Sequence, residues 1–275
     1  MKLKRRKSCR DCDQYIDPAT DSGRAVVALA GNPNTGKSTV FNAITGLKQH
    51  TGNWPGKTVS RAEGTFIHQG KRYHLVDLPG TYSLLSASVD EQIARDFLLF
   101  GKPDCTIVVV DATALRRNLN LTLQVLQITE KVVVCCNLMD EARRRGIAVD
   151  TDRLSEELGV PVVPTAARRG IGIDLLLDTV AGVVAGEITP RPHVTPVPES
   201  IRRDVDELIP EIEALVPGIP NARWVALRLI EGDLRLQKAL ETGELAAVVT
   251  ANRNMLRDSQ TLEPVLLTIE GATDD

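Results

Sequence analysis

Four short runs of β-branched and aliphatic residues recur along the chain: "RAVVALA" (24–30), "CTIVVVDA" (105–112), "KVVVCCNL" (131–138) and "VPVVPTA" (160–166). They lack the apolar–polar alternation of a half-exposed strand, so each suits a strand buried on both faces of a parallel sheet. Parallel neighbours need long crossovers, usually helical. Helical patterns near 37–46, 90–100, 116–129, 151–158 and 172–186 can supply them. The segments "GTFIHQG" and "KRYHLVDL" abut at Gln69-Gly70, which reads as a hairpin turn. Together these features predict an α/β fold, a doubly wound and mostly parallel sheet with one antiparallel edge strand. "TPRPHVTPVP" (189–198) then carries four prolines and reads as a stiff linker. Beyond it, 199–263 shows helical periodicity and no strand-like run. The expected organisation is a basic tail over 1–22, an α/β domain over 23–188, the linker 189–198, a small all-helical domain over 199–263 and a tail over 264–275.

Composition narrows the class. In 275 residues, 43% are hydrophobic, enough for a full core. The net charge of −3 gives no electrostatic case for nucleic acid as a partner. Five cysteines, an odd number and partly inside the strand-like runs, do not read as a secreted disulfide framework. No apolar run approaches the roughly 18–20 residues that a membrane-spanning helix needs. The basic start "MKLKRRKSCRDCD" has no apolar stretch after it and so does not read as a signal peptide.

The first strand-like run opens into "GNPNTGKST", Gly31 to Thr39, which matches G-x-x-x-x-G-K-[ST] at Gly31, Gly36, Lys37 and Ser38. Gly31 and Gly36 allow backbone conformations that turn successive N–H groups toward phosphate oxygens. Asn32, Pro33, Asn34 and Thr35 form the body of that loop, and the helix starting near Lys37 adds the positive end of its dipole. Lys37 can reach the β- and γ-phosphates, the Ser38 hydroxyl can ligate Mg²⁺, and Thr39 follows in the same turn. In "DLPG", Asp77 can hold Mg²⁺ through a water, and the Gly80 N–H can donate to a γ-phosphate. The alternative for "DLPG" is an ordinary Pro-Gly turn.

Base identity is written in "NLMD", Asn137 to Asp140, which includes Met139 and ends the run "KVVVCC". The Asp140 carboxylate can accept from guanine N1–H and the N2 amine together, whereas adenine would leave it facing no donor. Asn137 can tie this loop to the phosphate loop. Taken alone, Asp140 also reads as a helix N-cap. "TAARR" (165–169) follows the next strand, where Ala166 and Ala167 allow close approach and the Ala167 N–H can serve the guanine oxygen.

At greater length, "GNWPGKTVSRAEG" (52–64), "LVDLPGTYSL" (75–84), "DEQIARDFLL" (90–99) and "VVDATALRRNLNLTLQ" (109–124) resemble the amino-terminal cytosolic region of the ferrous iron transport protein B family. That resemblance covers about 24–188 and extends more loosely over 199–263, the family's helical GDI-like domain. It implies a GTPase domain tethered to a membrane iron permease. This chain would be the region on the cytoplasmic side of a bacterial inner membrane, the permease part of the same protein its partner. It also implies a small cytosolic partner protein and a homo-oligomer as further candidates. By the same resemblance Thr58 is the switch I threonine that binds Mg²⁺ and the γ-phosphate. Asn34 is the potassium-ligand asparagine, with the carbonyls of Gly52 and Trp54 completing the K⁺ site. The alternative for Asn34 is a bond within its own loop. The stretch 47–62 is long and Gly-rich without an apolar period, so it reads as a loop able to move, with Trp54 packing differently in the two nucleotide states; the alternative is a passive connecting loop. No glutamine follows "DLPG", where Thr81 and Tyr82 stand, so turnover is expected to be slow.

Cys9 and Cys12, in "CRDC", have the spacing for half a zinc or iron site or a redox pair; the alternative is an unstructured tail. Cys105, Cys135 and Cys136 read as core. Two other functions share these nucleotide motifs. A ribosome-assembly GTPase would call for a basic RNA-binding module, and a non-enzymatic regulator would signal by nucleotide occupancy alone.

Overall fold

The computed structural model describes residues 25–46, 49–54, 58–85, 88–194, 197–247 and 249. Seven strands form one sheet: β1 (Ala25–Gly31), β2 (Gln49–Asn53), β3 (Ser60–His68), β4 (Lys71–Asp77), β5 (Cys105–Asp111), β6 (Val132–Asn137) and β7 (Val162–Pro164), in the order β2-β3-β4-β1-β5-β6-β7. The pairs β1–β4, β1–β5, β5–β6 and β6–β7 are parallel. β3 runs against both of its neighbours. The hairpin turn is where the sequence puts it, with Gln69 at φ 50° and Gly70 at φ 76°, the two positive values that a two-residue turn of matching twist demands.

The antiparallel strand is not the sheet edge, because β2 covers it. "QHTGN" has no apolar alternation, so nothing in its pattern announces a strand; it forms by completing the open hydrogen bonds of β3.

The crossovers are helical: α1 (Lys37–Thr45), α2 (Val89–Phe100), α3 (Leu115–Ile128), α4 (Met139–Arg144), α5 (Thr151–Leu158) and α6 (Ile173–Ala185). α4 is one turn and a half, too short for a period to show. On one face of the sheet Val27, Leu29, Ile107 and Val109 pack with Val40 and Phe41 of α1 and Leu176 and Val180 of α6. On the other, Ala28, Val108 and Val110 pack with Phe97 of α2 and Leu121 and Val125 of α3. Cys105, Cys135 and Cys136 are buried, and burial pushes each thiol up to about 12, so they are core residues as expected.

The second apolar cluster does not stop at α2 and α3. It continues into Val205, Ile212, Trp224 and Leu236 of α7 (Glu199–Leu215), α8 (Ala222–Ile230) and α9 (Leu234–Glu241). Asn221 caps α8 by accepting from the Trp224 N–H at 3.2 Å, and its Nδ2 donates to the Ile128 carbonyl at the end of α3 at 2.8 Å. The proline-rich stretch lies along α5: the Arg191 N–H donates to Gly159 O at 2.8 Å and the His193 N–H to Leu158 O at 3.0 Å. Among the described residues no helix is long and apolar enough to cross a membrane.

Candidate nucleotide site

Loops at the carboxyl ends of β1, β4, β6 and β7 meet, the place where open α/β sheets take ligands. After β1 the chain turns at Asn34 (φ 66°) and Gly36 (φ 81°) and enters α1 at Lys37. Gly36 needs its freedom twice over, since a Cβ there would also stand 2.5 Å from Asn137 Nδ2. Gly31 is required for room rather than for a positive φ: a Cβ would lie 2.7 Å from the Val109 carbonyl of β5. Asn34, not Gly31, makes the left-handed turn. The Thr35 hydroxyl donates to Asn32 O at 2.9 Å and closes the loop. Asn34, Ser38 and Thr39 are exposed, as a binding surface requires.

Asn137 is the joint of the site. Its Nδ2 donates to Thr35 O at 3.0 Å, while its Oδ1 accepts from the Ala167 N–H at 3.1 Å and the Thr165 hydroxyl at 3.2 Å. One buried amide therefore fixes the phosphate loop, the end of β6 and the loop after β7 together. Thr165, whose role is not marked in the sequence beyond "TAARR", also holds this corner through its backbone: its N–H donates to Cys136 O at 2.8 Å and its carbonyl accepts from Met139 at 3.1 Å. Leu138 is forced to φ 62° between Asn137 and Met139, and that turn sets Asp140 in the first turn of α4. There Asp140 Oδ1 accepts from the Glu141 N–H at 3.0 Å. Ala166 bridges to Ile171 and closes the loop behind it. The expectation for Ala167 changes in one respect: its N–H already serves Asn137 Oδ1, so a base oxygen would have to share it.

Asp77 ends β4 beside Lys37, and the two side chains form an ion pair. Burial raises the Asp77 carboxyl above its ordinary value, and the Lys37 ammonium opposes that shift. Gly80 lies against Pro33, 3.5 Å from its Cα measured from where a Cβ would be, and the Thr81 N–H donates to Gly31 O at 3.3 Å. The "DLPG" turn is thus seated on the phosphate loop. Beyond it, the Leu84 N–H donates to Gln124 Oε1 of α3 at 2.6 Å, and the Arg117 guanidinium sits 5.3 Å over the Tyr82 ring.

The residues that the resemblance assigns to switch I, and to the K⁺ site apart from Asn34, lie in and after β2. Gly52 is paired with Arg61 in β2, and Thr58 is exposed in the connection to β3, four residues before Ala62, which is registered opposite Asp77. β2 lies three strands from β1, about 14 Å across the sheet. Among the described residues no hydrogen bond joins Asn34 to Gly52 or Trp54, or Thr58 to Ser38. Trp54, one residue past β2, is buried rather than free: it is 3% exposed, edge-on to Phe97 of α2 at 5.5 Å, with Arg61 5.4 Å over its ring. The apolar surface of α2 draws it in, a partner that no local pattern around "GNWPG" reveals. Burial lowers the Arg61 guanidinium to about 10. Cys9 and Cys12 lie outside the described residues.

Ser38 and Asp77 are the hard oxygen donors of this corner and fit a magnesium ion shared with phosphates. Among the described residues no cluster of three His, Cys, Asp or Glu could hold a metal by protein ligands alone. Asn137 thus ties the "GNPNTGKST" loop to the loops "NLMD" and "TAARR". The amino-terminal family model described as ferrous iron transport protein B matches residues 25–180, and that of the FeoB cytosolic helical domain matches 198–267.

The chain belongs to the ferrous iron transport protein B family.

The Fe(2+) transporter FeoB of Escherichia coli strain K12 is 38% identical over 241 residues, covering 86% of this chain and 31% of that protein. The chain thus spans about a third of the length of the curated relatives it matches. Among solved structures, the cytosolic domain of Thermotoga maritima FeoB in apo form aligns with a TM-score of 0.71 at 32% identity, covering 86% of this chain and 97% of that one. The same domain in a GDP form aligns with a TM-score of 0.70 at 32% identity, covering 86% and 96%. That of Legionella pneumophila FeoB aligns at 0.67 and 35% identity, covering 84% and 98%. The match of 198–267 to the family's helical domain leaves no place there for the RNA-binding module of a ribosome-assembly GTPase.

Proposed function

We propose that this chain binds GTP and GDP with Mg²⁺ and hydrolyses GTP slowly, as the nucleotide switch of a ferrous iron transporter. The observation that supports this best is the Asn137 joint, which holds a phosphate loop and a guanine-reading loop in one rigid corner. Asp140 accepts from guanine N1–H and N2, and the Ala167 N–H is shared with the base oxygen. Lys37 exchanges Asp77 for the β- and γ-phosphates as they enter. Ser38 and Asp77 would hold Mg²⁺, which when bound would supply positive charge to the transferring phosphoryl group. Thr58 leaves the sheet edge to complete the site, and the Gly80 N–H meets the γ-phosphate. Water attacks the γ-phosphorus, the bond to the β–γ bridging oxygen breaks, and GDP and phosphate leave.

The segment 47–60 holds no arginine, only Lys48 and Lys57, so the charge that an arginine finger supplies elsewhere must come from another cation. Asn34, with the carbonyls of Gly52 and Trp54, is assigned to K⁺ in that role. The permease part of the full-length protein, on the inner-membrane side, is the partner that reads the nucleotide state. A small cytosolic partner and self-association are secondary candidates. Calorimetry with GDP, GTP and ATP tests the base assignment: guanine nucleotides bind and ATP does not compete. Phosphate release in matched KCl and NaCl tests the cation. Potassium accelerates the wild type, and Asn34→Ala loses that response; equal rates in the two salts would remove K⁺ from the mechanism.

A further inference from the structure

Two asparagines that hydrolysis as described above does not use are buried with amide atoms that meet no partner. Asn32 is 1% exposed, and both its Nδ2 and Oδ1 lack a partner among the described residues. Asn118 of α3 is fully buried; its Nδ2 donates to Ala114 O at 2.8 Å, but its Oδ1 lacks a partner. An unmatched buried donor or acceptor costs on the order of 1–3 kcal/mol.

The topology places these two residues on one side of the sheet at one level. Gly31 is registered opposite Val109, and a Cβ on Gly31 would point at the Val109 side chain, toward the α1 and α6 face. Asn32 is the first residue past β1, and continuing the strand's alternation by one step carries it to the opposite face. That is the face where Val110 of β5 packs with Leu121 and Val125 of α3. Asn118 shares its helix stripe with Leu121 and Val125, at spacings of three and seven, so it faces the sheet. It lies one helical step of about 4.5 Å inside α3, which begins just after β5 ends. Strands advance about 3.3 Å per residue, so Asn118 comes down at the level of Val110 and Asn32.

We propose that one ordered water joins the two, accepting from Asn32 Nδ2 and donating to Asn118 Oδ1. A polar niche with such partners is where buried water is retained. The bridge makes Asn32 and Asn118 positioning residues. It ties the phosphate loop to the helix that also holds the segment after "DLPG", through Gln124 to the Leu84 N–H and Arg117 over Tyr82, and that takes up Asn221 of the helical domain. Binding of the γ-phosphate then reaches the "DLPG" turn from two sides.

This inference rests on the GTPase reading for its kinetic arm, and a second arm is independent of it. In the full-length chain with GDP, the Asn32 side-chain amide protons, read by NMR, exchange at least tenfold more slowly than those of an exposed asparagine, and Asn118→Ala shifts their resonance. Should Asn118→Ala fail to fold, Asn118→Ser, which keeps an accepting oxygen, leaves that resonance near its wild-type position. In turnover, Asn32→Ala and Asn118→Ala each lower kcat about tenfold with KM changed less than threefold. The double variant is no slower than the slower single one, because both remove one bridge. A hundredfold loss in the double variant, or an Asn32 amide that exchanges freely and ignores position 118, overturns the proposal. A chain that hydrolyses no GTP would sink only the functional reading, and the amide comparison would still decide the bridge.

Discussion

The two halves of this nucleotide site are built differently. The half formed by the loops after β1, β6 and β7 is assembled: Asn137 alone makes three hydrogen bonds across it, and Gly36 fits beneath that side chain with no room for a Cβ. The other half, residues 49–54 and 58–60, lies at the far edge of the sheet, held by the β2–β3 pairing and by Trp54 against Phe97. On the proposed function the first would recognise what is common to GDP and GTP, and the second would undock for Thr58 to meet a γ-phosphate. Such a switch would store its two states in an edge strand and one buried indole.

Breaking the assembled half should have the largest effect. Lys37→Ala is expected to lower GTP turnover by about 10³-fold, in the range of losses when a preorganised charge is removed, and to weaken Mg²⁺–GDP as well; steady-state phosphate release and calorimetry check both. Asp140→Asn is expected to cost about 10²-fold in guanine affinity and to shift preference toward xanthine nucleotides, whose C2 carbonyl accepts from an amide. Competition calorimetry with GDP and XDP reads that out. Breaking the docked half should separate the two nucleotides. Thr58→Ala lowers turnover roughly tenfold, the cost of losing one charge-stabilising ligand, while GDP affinity stays within a factor of about two. Equal loss of GDP binding would show that the two halves are not distinct.

A smaller effect concerns pH. Burial raises the Asp77 carboxyl, with Lys37 opposing, so its protonated form persists to higher pH than for a surface aspartate. Protonation removes the Mg²⁺ partner. Turnover should therefore fall on acidification before the ordinary aspartate value of about 3.9 is reached, a limb that a pH–rate profile resolves and that Asp77→Asn abolishes.

The assembled half was largely legible in the sequence because each of its parts is local. A glycine-spaced loop, an "NLMD" and a "TAARR" each follow a continuous Val-rich run, and those runs form β1, β6 and β7 of the parallel part of the sheet. What escaped is what depends on distant partners. β2 exists because β3 leaves hydrogen bonds open, and "QHTGN" has no period to announce it. Trp54 is core because α2 presents Phe97. The Ala167 N–H is already engaged because Asn137 reaches it. The burial of Asn32 depends on which way one residue beyond a strand turns, and Asn118 hides inside an ordinary amphipathic helix. The continuity of the apolar core into α7, α8 and α9 is likewise a tertiary fact, since each of those helices is amphipathic without saying against what.

The undocking of Trp54 is the central claim, and its fluorescence tests it most directly. In a Trp224→Phe variant Trp54 is the one remaining tryptophan, and its emission can be followed as GDP or a non-hydrolysable GTP analogue is added with Mg²⁺ and K⁺. The docked indole, 3% exposed, should emit at short wavelength. GDP should leave that emission where it is, and the triphosphate analogue should shift it to the red as β2 leaves the sheet. An emission that is unchanged by the analogue, or shifted equally by both nucleotides, would contradict the division of the site into an assembled and a docked half.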